Sequence, residues 1–112
     1  MIEPSVVDIK EATKENGFFL KVLLTPTKVQ VIVMSLLPGD EIGSEIHEGD
    51  QLLYAAKGQG VAILNDSNEN FEKGTIFCVP AGARHNVINT GGVPLELLSI
   101  YAPPPEATLV AS

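Results

Sequence analysis

The brevity of the apolar stretches from residue 18 onward is the strongest constraint on the fold of this chain. Stretches rich in β-branched and aromatic residues are interrupted at short intervals by glycine, proline, asparagine or aspartate. Short β-prone segments separated by turn residues are typical of an all-β domain. The pattern predicts strands at residues 18–24, 30–36, 42–47, 51–57, 60–64, 71–72, 76–79, 84–89 and 95–101.

The segments between these strands carry turn signals. Residues 38–40 (Pro-Gly-Asp) and 48–50 (Glu-Gly-Asp) are tight-turn sequences, and the prolines at 103–105 end the sheet because they lack a backbone N–H. Residues 57–60 and 90–92 contain the glycines that a hairpin needs, and residues 65–68 form a polar loop. This spacing fits a sandwich or a jelly roll, and the pattern alone does not separate the two.

The length of 112 residues suits a single domain. Residues 8–16 are polar and charged, and they fit either a short helix or an extended arm before Gly17. The expected organisation is an arm over residues 1–17, a barrel over 18–102 and a C-terminal tail over 103–112, all within one domain.

The charge balance excludes two classes of partner. The formal net charge is −7 and the sequence pI is about 4.6, which disfavours binding to nucleic acid or to an anionic membrane surface. The single cysteine, Cys78, permits no intrachain disulfide and is expected to be a small buried apolar residue. With no signal-peptide pattern and no apolar stretch long enough to span a bilayer, the expected location is the cytoplasm.

The residues with metal-binding chemistry are concentrated on three predicted strands. Glu45 and His47 are two residues apart, so strand alternation points both side chains to one face. Gln51 opens the next strand and can lie across from His47 in an antiparallel hairpin, while His85 opens a later strand. Two nitrogen and two oxygen ligands suit Mn, Fe, Ni, Co or Zn. A barrel without a metal, in which both histidines are structural, is the alternative.

Two segments resemble the sequence motifs of the cupins. Residues 39–58, GDEIGSEIHEGDQLLYAAKG, resemble the first cupin motif, and residues 74–89, GTIFCVPAGARHNVIN, match the second. The second match includes, at the family spacing, Gly74, Pro80, Gly82, His85 and Asn89. The chain has Glu45 where most cupins have histidine, and Gln51 where most have glutamate. It is therefore similar to small single-domain cupins of the RmlC-like superfamily with a Glu-x-His and Asp-Gln first motif.

This resemblance implies a double-stranded β-helix, or jelly-roll barrel, that holds one divalent transition metal. The implied ligands are Glu45, His47, Gln51 and His85, and the side chains expected to line the pocket are Met34, Tyr54 and Phe77. The implied function is that of a metal-dependent enzyme, a dioxygenase or an isomerase, that acts on a small polar metabolite. The alternatives are a small-molecule binding or sensor protein without turnover, and a barrel whose metal site is structural or empty.

A homodimer is expected for two reasons. The chain is small, and the apolar stretches 18–24 and 95–101 offer surface that one barrel would leave uncovered.

Overall fold

One short helix and nine strands make up the described part of the chain, residues 6–17, 19–24 and 28–104 of a computed structural model. Most strands lie within a residue or two of their predicted positions, and β2 and β7 have the predicted bounds. The elements are α1 (Ile9–Glu15), β1 (Leu20–Leu24), β2 (Gln30–Leu36), β3 (Glu45–Ile46), β4 (Asp50–Lys57), β5 (Gln59–Leu64), β6 (Ser67–Glu72), β7 (Ile76–Val79), β8 (Arg84–Ile88) and β9 (Leu95–Ala102).

The N-terminal segment forms a helix and not an extended arm. Asp8 caps α1, because its carboxylate accepts a hydrogen bond of 3.1 Å from the backbone N–H of Glu11. The helix packs against β9 and β2, and Thr13 is its buried residue. None of the helical segments among residues 6–17, 19–24 and 28–104 is both long and apolar enough to cross a membrane.

The strands form two antiparallel sheets with the orders β1-β2-β9-β4-β7 and β3-β8-β5-β6. The predicted hairpins at residues 57–60 and 90–92 are wrong, since the strands on either side of each segment belong to different sheets. Gly58 turns the corner between β4 and β5 with a φ of +90°, and a Cβ there would lie 2.7 Å from the carbonyl oxygen of Pro94. A chain that passes repeatedly between two facing sheets forms the expected double-stranded β-helix.

Two local predictions need correction. Residues 65–68 are not a loop: β5 and β6 are joined by a tight turn at Asn65-Asp66, and Ser67 already pairs with Leu64. Asn65 permits this turn because it adopts a φ of +53°, which asparagine tolerates. The strand predicted at 42–47 is reduced to β3 and one isolated bridge at Glu41, because Gly43 interrupts it with a φ of +101°.

The core lies between the two sheets. Its side chains form layers, because the strand register places inward residues of neighbouring strands side by side. The inward side chains of β9 alternate with outward ones and pair with inward side chains of β2 and β4. At one end the layer contains Gln30, Tyr101 and Gln51; successive layers contain Ile32, Ser99 and Leu53, then Met34, Leu97 and Ala55, then Leu36 and Leu95. The core is therefore polar at one end and apolar at the other. Cys78, which was expected to be buried, is exposed because it lies on the outer face of the edge strand β7.

Candidate metal centre

Glu45, His47 and His85 form a compact group of potential ligands. The Oε1 atom of Glu45 lies 3.4 Å from Nε2 of His47 and 4.0 Å from Nε2 of His85. One ligand atom from each of the three residues can be chosen so that all lie within 4.8 Å of one another. The group runs from the surface inward, because the side chain of Glu45 is 42% exposed, that of His47 is 19% exposed and that of His85 is fully buried.

Strand pairing and one turn bring these three residues together. Glu45 on β3 is the direct cross-strand partner of His85 on β8, so both side chains lie on the same face of the four-stranded sheet. His47 follows β3, and its carbonyl oxygen accepts a hydrogen bond of 2.8 Å from the N–H of Gly82. The turn before β8 thus fixes the backbone of His47 beside the other two residues.

Gln51 approaches from the opposite sheet. The predicted hairpin between His47 and Gln51 is wrong, because β4 pairs with β9 and β7, and Gln51 lies between Tyr101 and Val79. The chain changes sheets at Gly49, where a Cβ would lie 2.7 Å from the carbonyl oxygen of Ala102. Gln51 nevertheless lies at the same end of the barrel, since the ring of its neighbour Tyr101 is 5.1 Å from the ring of His47, edge to face.

Three buried atoms of this group have no hydrogen-bond partner. They are Nε2 of His47, Nε2 of His85 and Oε1 of Gln51. The amide of Gln51 is held by its other atom, because Nε2 donates a hydrogen bond of 2.8 Å to Oγ of Ser99. An unpaired buried polar atom costs about 1–3 kcal/mol, so the two imidazole nitrogens, each within 4.0 Å of Oε1 of Glu45, call for a shared partner.

The protonation of His85 favours metal binding. Its Nδ1 lies 3.3 Å from the carbonyl oxygen of Ala83, which can only accept, so the ring proton belongs on Nδ1 and the lone pair on Nε2. Burial lowers the pKa of His85 below its ordinary value, with a further contribution from nearby His47. The imidazole is therefore neutral at pH 7, as a metal ligand must be.

The donor set fits a divalent transition metal. Ligand atoms about 2.1 Å from one ion are at most about 4.2 Å apart, so the observed group would need to contract only slightly. One carboxylate oxygen, two imidazole nitrogens and one amide oxygen match the ligands that Mn, Fe, Co, Ni and Zn accept.

The side chains predicted to line the pocket lie in three different places. Met34 is buried two layers from Tyr101, in the apolar part of the core. Phe77 lies edge to face with Phe71 and lines a cavity of about 280 Å³ between β6 and β7. Tyr54 is on the outer face of its sheet, because it alternates with the inward Gln51 and Leu53. The structure therefore does not bring Tyr54 or Met34 to the histidines.

Sequence reasoning missed three residues that support this group. Ser99 accepts the hydrogen bond from Gln51, and Tyr101 lies against His47. Asp50 accepts a 3.0 Å hydrogen bond from the N–H of Ala81 and so holds the turn that fixes His47. The available signal was Ser99, a polar residue two positions from the inward Leu97 on the same face of the strand.

Two proteins of known sequence are similar to this chain over most of its length. It is 46% identical over 109 residues to the uncharacterized protein YrkC of Bacillus subtilis, covering 91% of this chain and 59% of that protein. It is 33% identical over 103 residues to the uncharacterized protein L612 of Acanthamoeba polyphaga mimivirus, covering 88% and 64%. The chain therefore spans about three-fifths of the length of these two relatives.

Solved structures and a family model agree with the fold. The protein BH2720 of Bacillus halodurans superposes with a TM-score of 0.89 at 37% identity, covering 97% of this chain and 95% of that one. TT1209 of Thermus thermophilus superposes with a TM-score of 0.78 at 27% identity, covering 89% and 98%. The family model described as a cupin domain matches residues 32–101, which include all four candidate ligands. This chain belongs to the cupin family.

Proposed function

We propose that this protein binds one divalent transition-metal ion through Glu45, His47, Gln51 and His85 and acts with it on a small polar metabolite. The observation that carries the proposal is the pair of buried imidazole nitrogens, Nε2 of His47 and Nε2 of His85, that have no hydrogen-bond partner and lie beside the Glu45 carboxylate. In a purely structural role, Nε2 of His85 would remain fully buried without a hydrogen-bond partner.

Each side chain has a distinct part in holding the ion. Glu45 supplies the negative charge and, being partly exposed, lies on the solvent side of the group. His47 and His85 supply imidazole nitrogens, and Gln51 supplies a carbonyl oxygen oriented by Ser99. The bound ion would supply a Lewis acid that polarises a substrate oxygen or lowers the pKa of a water molecule.

Ser99 and Tyr101 contact the candidate ligands on the side that faces the core. Burial raises the pKa of the Tyr101 phenol, so its hydroxyl stays protonated and can donate at neutral pH. Ser99 and Gln51 are completely or almost completely buried, and they exclude water from beneath the ligands. Substrate would therefore approach from the side of Glu45.

The reaction that we propose is that of a dioxygenase or an isomerase on an oxygen-rich metabolite. An ion that takes six ligands would have two positions left for substrate, water or dioxygen if these four side chains held it. Two histidines and a carboxylate are also the ligand types of non-haem iron oxygenases.

A second candidate function is binding without turnover. It is favoured by a Thermotoga maritima relative, named an oxalate-binding protein, that is 32% identical over 68 residues, covering 60% of this chain and 56% of that protein. A dicarboxylate such as oxalate could occupy both open positions of an ion.

Metal content tests the site directly. We expect about one equivalent of a transition metal per chain by elemental analysis after reconstitution with Mn, Fe, Co, Ni or Zn in turn. The variants Glu45→Ala, His47→Ala and His85→Ala should lose most of it, because each removes a ligand. Glu48→Ala is the matched control, since Glu48 is an exposed carboxylate three residues from Glu45. Full metal content in the His47 and His85 variants would refute the assignment.

Two assays separate turnover from binding. Oxygen uptake across a panel of diketones, catechols and thiols tests the dioxygenase, and product analysis of sugar phosphates tests the isomerase. Calorimetric titration of the metal-loaded protein with oxalate tests the second candidate. Tight oxalate binding without any product would favour binding over catalysis.

We also retain the homodimer and the cytoplasmic location as proposals. Residues 95–101 no longer support a dimer, because β9 lies between β2 and β4 and is largely buried within one chain. The remaining support for a dimer is β1, because its outer edge has no neighbouring strand among the described residues and could pair with a second copy. Sedimentation at micromolar concentration should give a dimer, and a monomer would refute the proposal.

A further inference from the structure

A groove on the outer face of the five-stranded sheet has a charge opposite to that of the whole protein. It lies between α1 and the sheet, with a volume of about 740 Å³, which is within the range for small-molecule sites. Lysines line it from three directions: Lys10 and Lys14 on α1, Lys57 at the end of β4, and Lys73 before β7. It is separate from the metal site, which lies inside the barrel.

The concentration of positive charge is unusual for this chain. The sequence has 7 lysines and arginines against 14 acidic residues, and the lining residues include four of the lysines but a single acid, Glu96. Within residues 6–17, 19–24 and 28–104, none of these four ammonium groups is ion-paired with a carboxylate. The four ammonium groups repel one another across the groove. An anion bound among them would be attracted by all four ammonium groups and would reduce that repulsion.

The floor of the groove is apolar. The ring of Tyr54 lies on it beside Ala56, and Ile9 borders it from the helix. Tyr54 is 36% exposed and Ile9 is 42% exposed, so both retain surface that a ligand could cover. An aromatic ring and an aliphatic side chain recognise a flat or apolar body and not a bare inorganic ion.

We infer that this groove binds an organic anion that carries two or more negative charges on a flat or apolar body. The lysines bind the charges, and Tyr54 and Ile9 contact the body. Nucleotides belong to this chemical class, and they serve here as probes. This inference does not depend on the proposed metal site.

Fluorescence titration with trinitrophenyl-ATP tests the inference. The protein is first treated with EDTA, so that phosphate cannot bind through a metal. We expect saturable binding of one probe per chain that weakens as salt is raised. ATP should displace the probe at lower concentration than pyrophosphate does, because pyrophosphate lacks the body that Tyr54 contacts.

Charge-reversal variants locate the site. Lys57→Glu combined with Lys73→Glu should weaken probe binding at least about tenfold, since four units of charge change beside the anion. Lys28→Glu is the matched control, because Lys28 is exposed and is not among the lining residues; it should change the affinity less than about twofold. Tyr54→Ala should remove the preference for ATP over pyrophosphate. Circular dichroism checks that each variant is folded.

Three outcomes of the titrations described above would overturn the inference. They are an absence of probe binding by the wild-type protein at millimolar concentration, an equal loss in the Lys28 control, and an equal affinity for pyrophosphate and ATP. His85→Ala provides the link to the metal site: it should lose metal but keep probe binding. Loss of probe binding in folded His85→Ala would place the nucleotide in the barrel and would also overturn the inference.

Discussion

The two ends of the barrel interior differ in what their layers contain, although the same strands build both. At one end, Gln51 and Tyr101 share a layer and Ser99 follows in the next. At the other end, the layers contain Leu97 with Ala55 and then Leu95 with Leu36. The apolar end gains free energy from burial, whereas the polar end contains unpaired buried atoms. This protein therefore buries apolar side chains at one end of the barrel and has its candidate metal ligands at the other.

The largest effect is expected from the apolar end. Leu97 is fully buried, so Leu97→Ala should lower the free energy of unfolding by about 3 kcal/mol. The folded fraction should retain its full metal content, because no ligand is touched. Urea denaturation and elemental analysis measure the two quantities. Leu37→Ala is the control, since Leu37 is 59% exposed, and an equal loss in both variants would contradict the division between the two ends.

A second variant adds charge at the polar end. Gln51 is almost fully buried, so Gln51→Glu should lower the stability of the metal-free protein by about 2 kcal/mol, because a second carboxylate is desolvated near Glu45. Added metal should then raise the melting temperature more than it does in the wild type, since the new charge is neutralised. Thermal melts with and without metal test this. Gln59→Glu, at an exposed position, should show neither change.

A smaller effect is expected from the residue that orients Gln51. Ser99→Ala removes the acceptor of the 2.8 Å hydrogen bond from Gln51, and loss of such a support should weaken metal binding about tenfold. That factor corresponds to about 1.4 kcal/mol. Competition with a chromophoric chelator measures the affinity, and Ser67→Ala at an exposed site is the control. An unchanged metal affinity in Ser99→Ala would contradict the role of Ser99 in orienting Gln51 as a ligand.

The smallest effect concerns the pH dependence of the metal-free protein. Burial lowers the pKa of folded His85 below 6.5, so the unfolded chain binds a proton at higher pH than the folded protein does. This contribution to stability is therefore complete above pH 6.5 and is lost as the pH falls toward the folded pKa. Urea midpoints from pH 8 to pH 5 should decline less steeply in His85→Gln than in the wild type. Parallel declines would contradict a neutral, buried His85.

Much of the fold could be predicted from local patterns. The strands at residues 30–36 and 76–79 were located correctly because turn residues such as Pro38, Gly74 and Pro80 lie close to the ends of these apolar stretches. The second cupin motif identified the family because glycine and proline positions define the turn before His85. Local conformational preferences depend on neighbours in sequence, and so they can be read without a structure.

Strand pairing could not be predicted in the same way. The hairpin expected between His47 and Gln51 does not exist, because a two-sheet barrel requires the chain to change sheets at Gly49. Tyr54 was expected in the pocket, but the register that points Gln51 inward points Tyr54 outward. Strand pairing and register depend on which strands pack against one another. Since these strands are far apart in the sequence, their packing is decided by the whole core.

The amino-acid sequence alone determined most of the strand positions and the family, because short-range spacing controls turns and strand faces, and its resemblance to the cupins predicted the four candidate ligands. Only the tertiary structure decided that Glu45 and His85 are cross-strand partners, that Ser99 holds Gln51 from the opposite sheet, and that three donor atoms are buried without partners. It also brought four lysines from separate elements to one groove. The physical reason is that these contacts join residues far apart in the chain, and their formation depends on packing both sheets around one core.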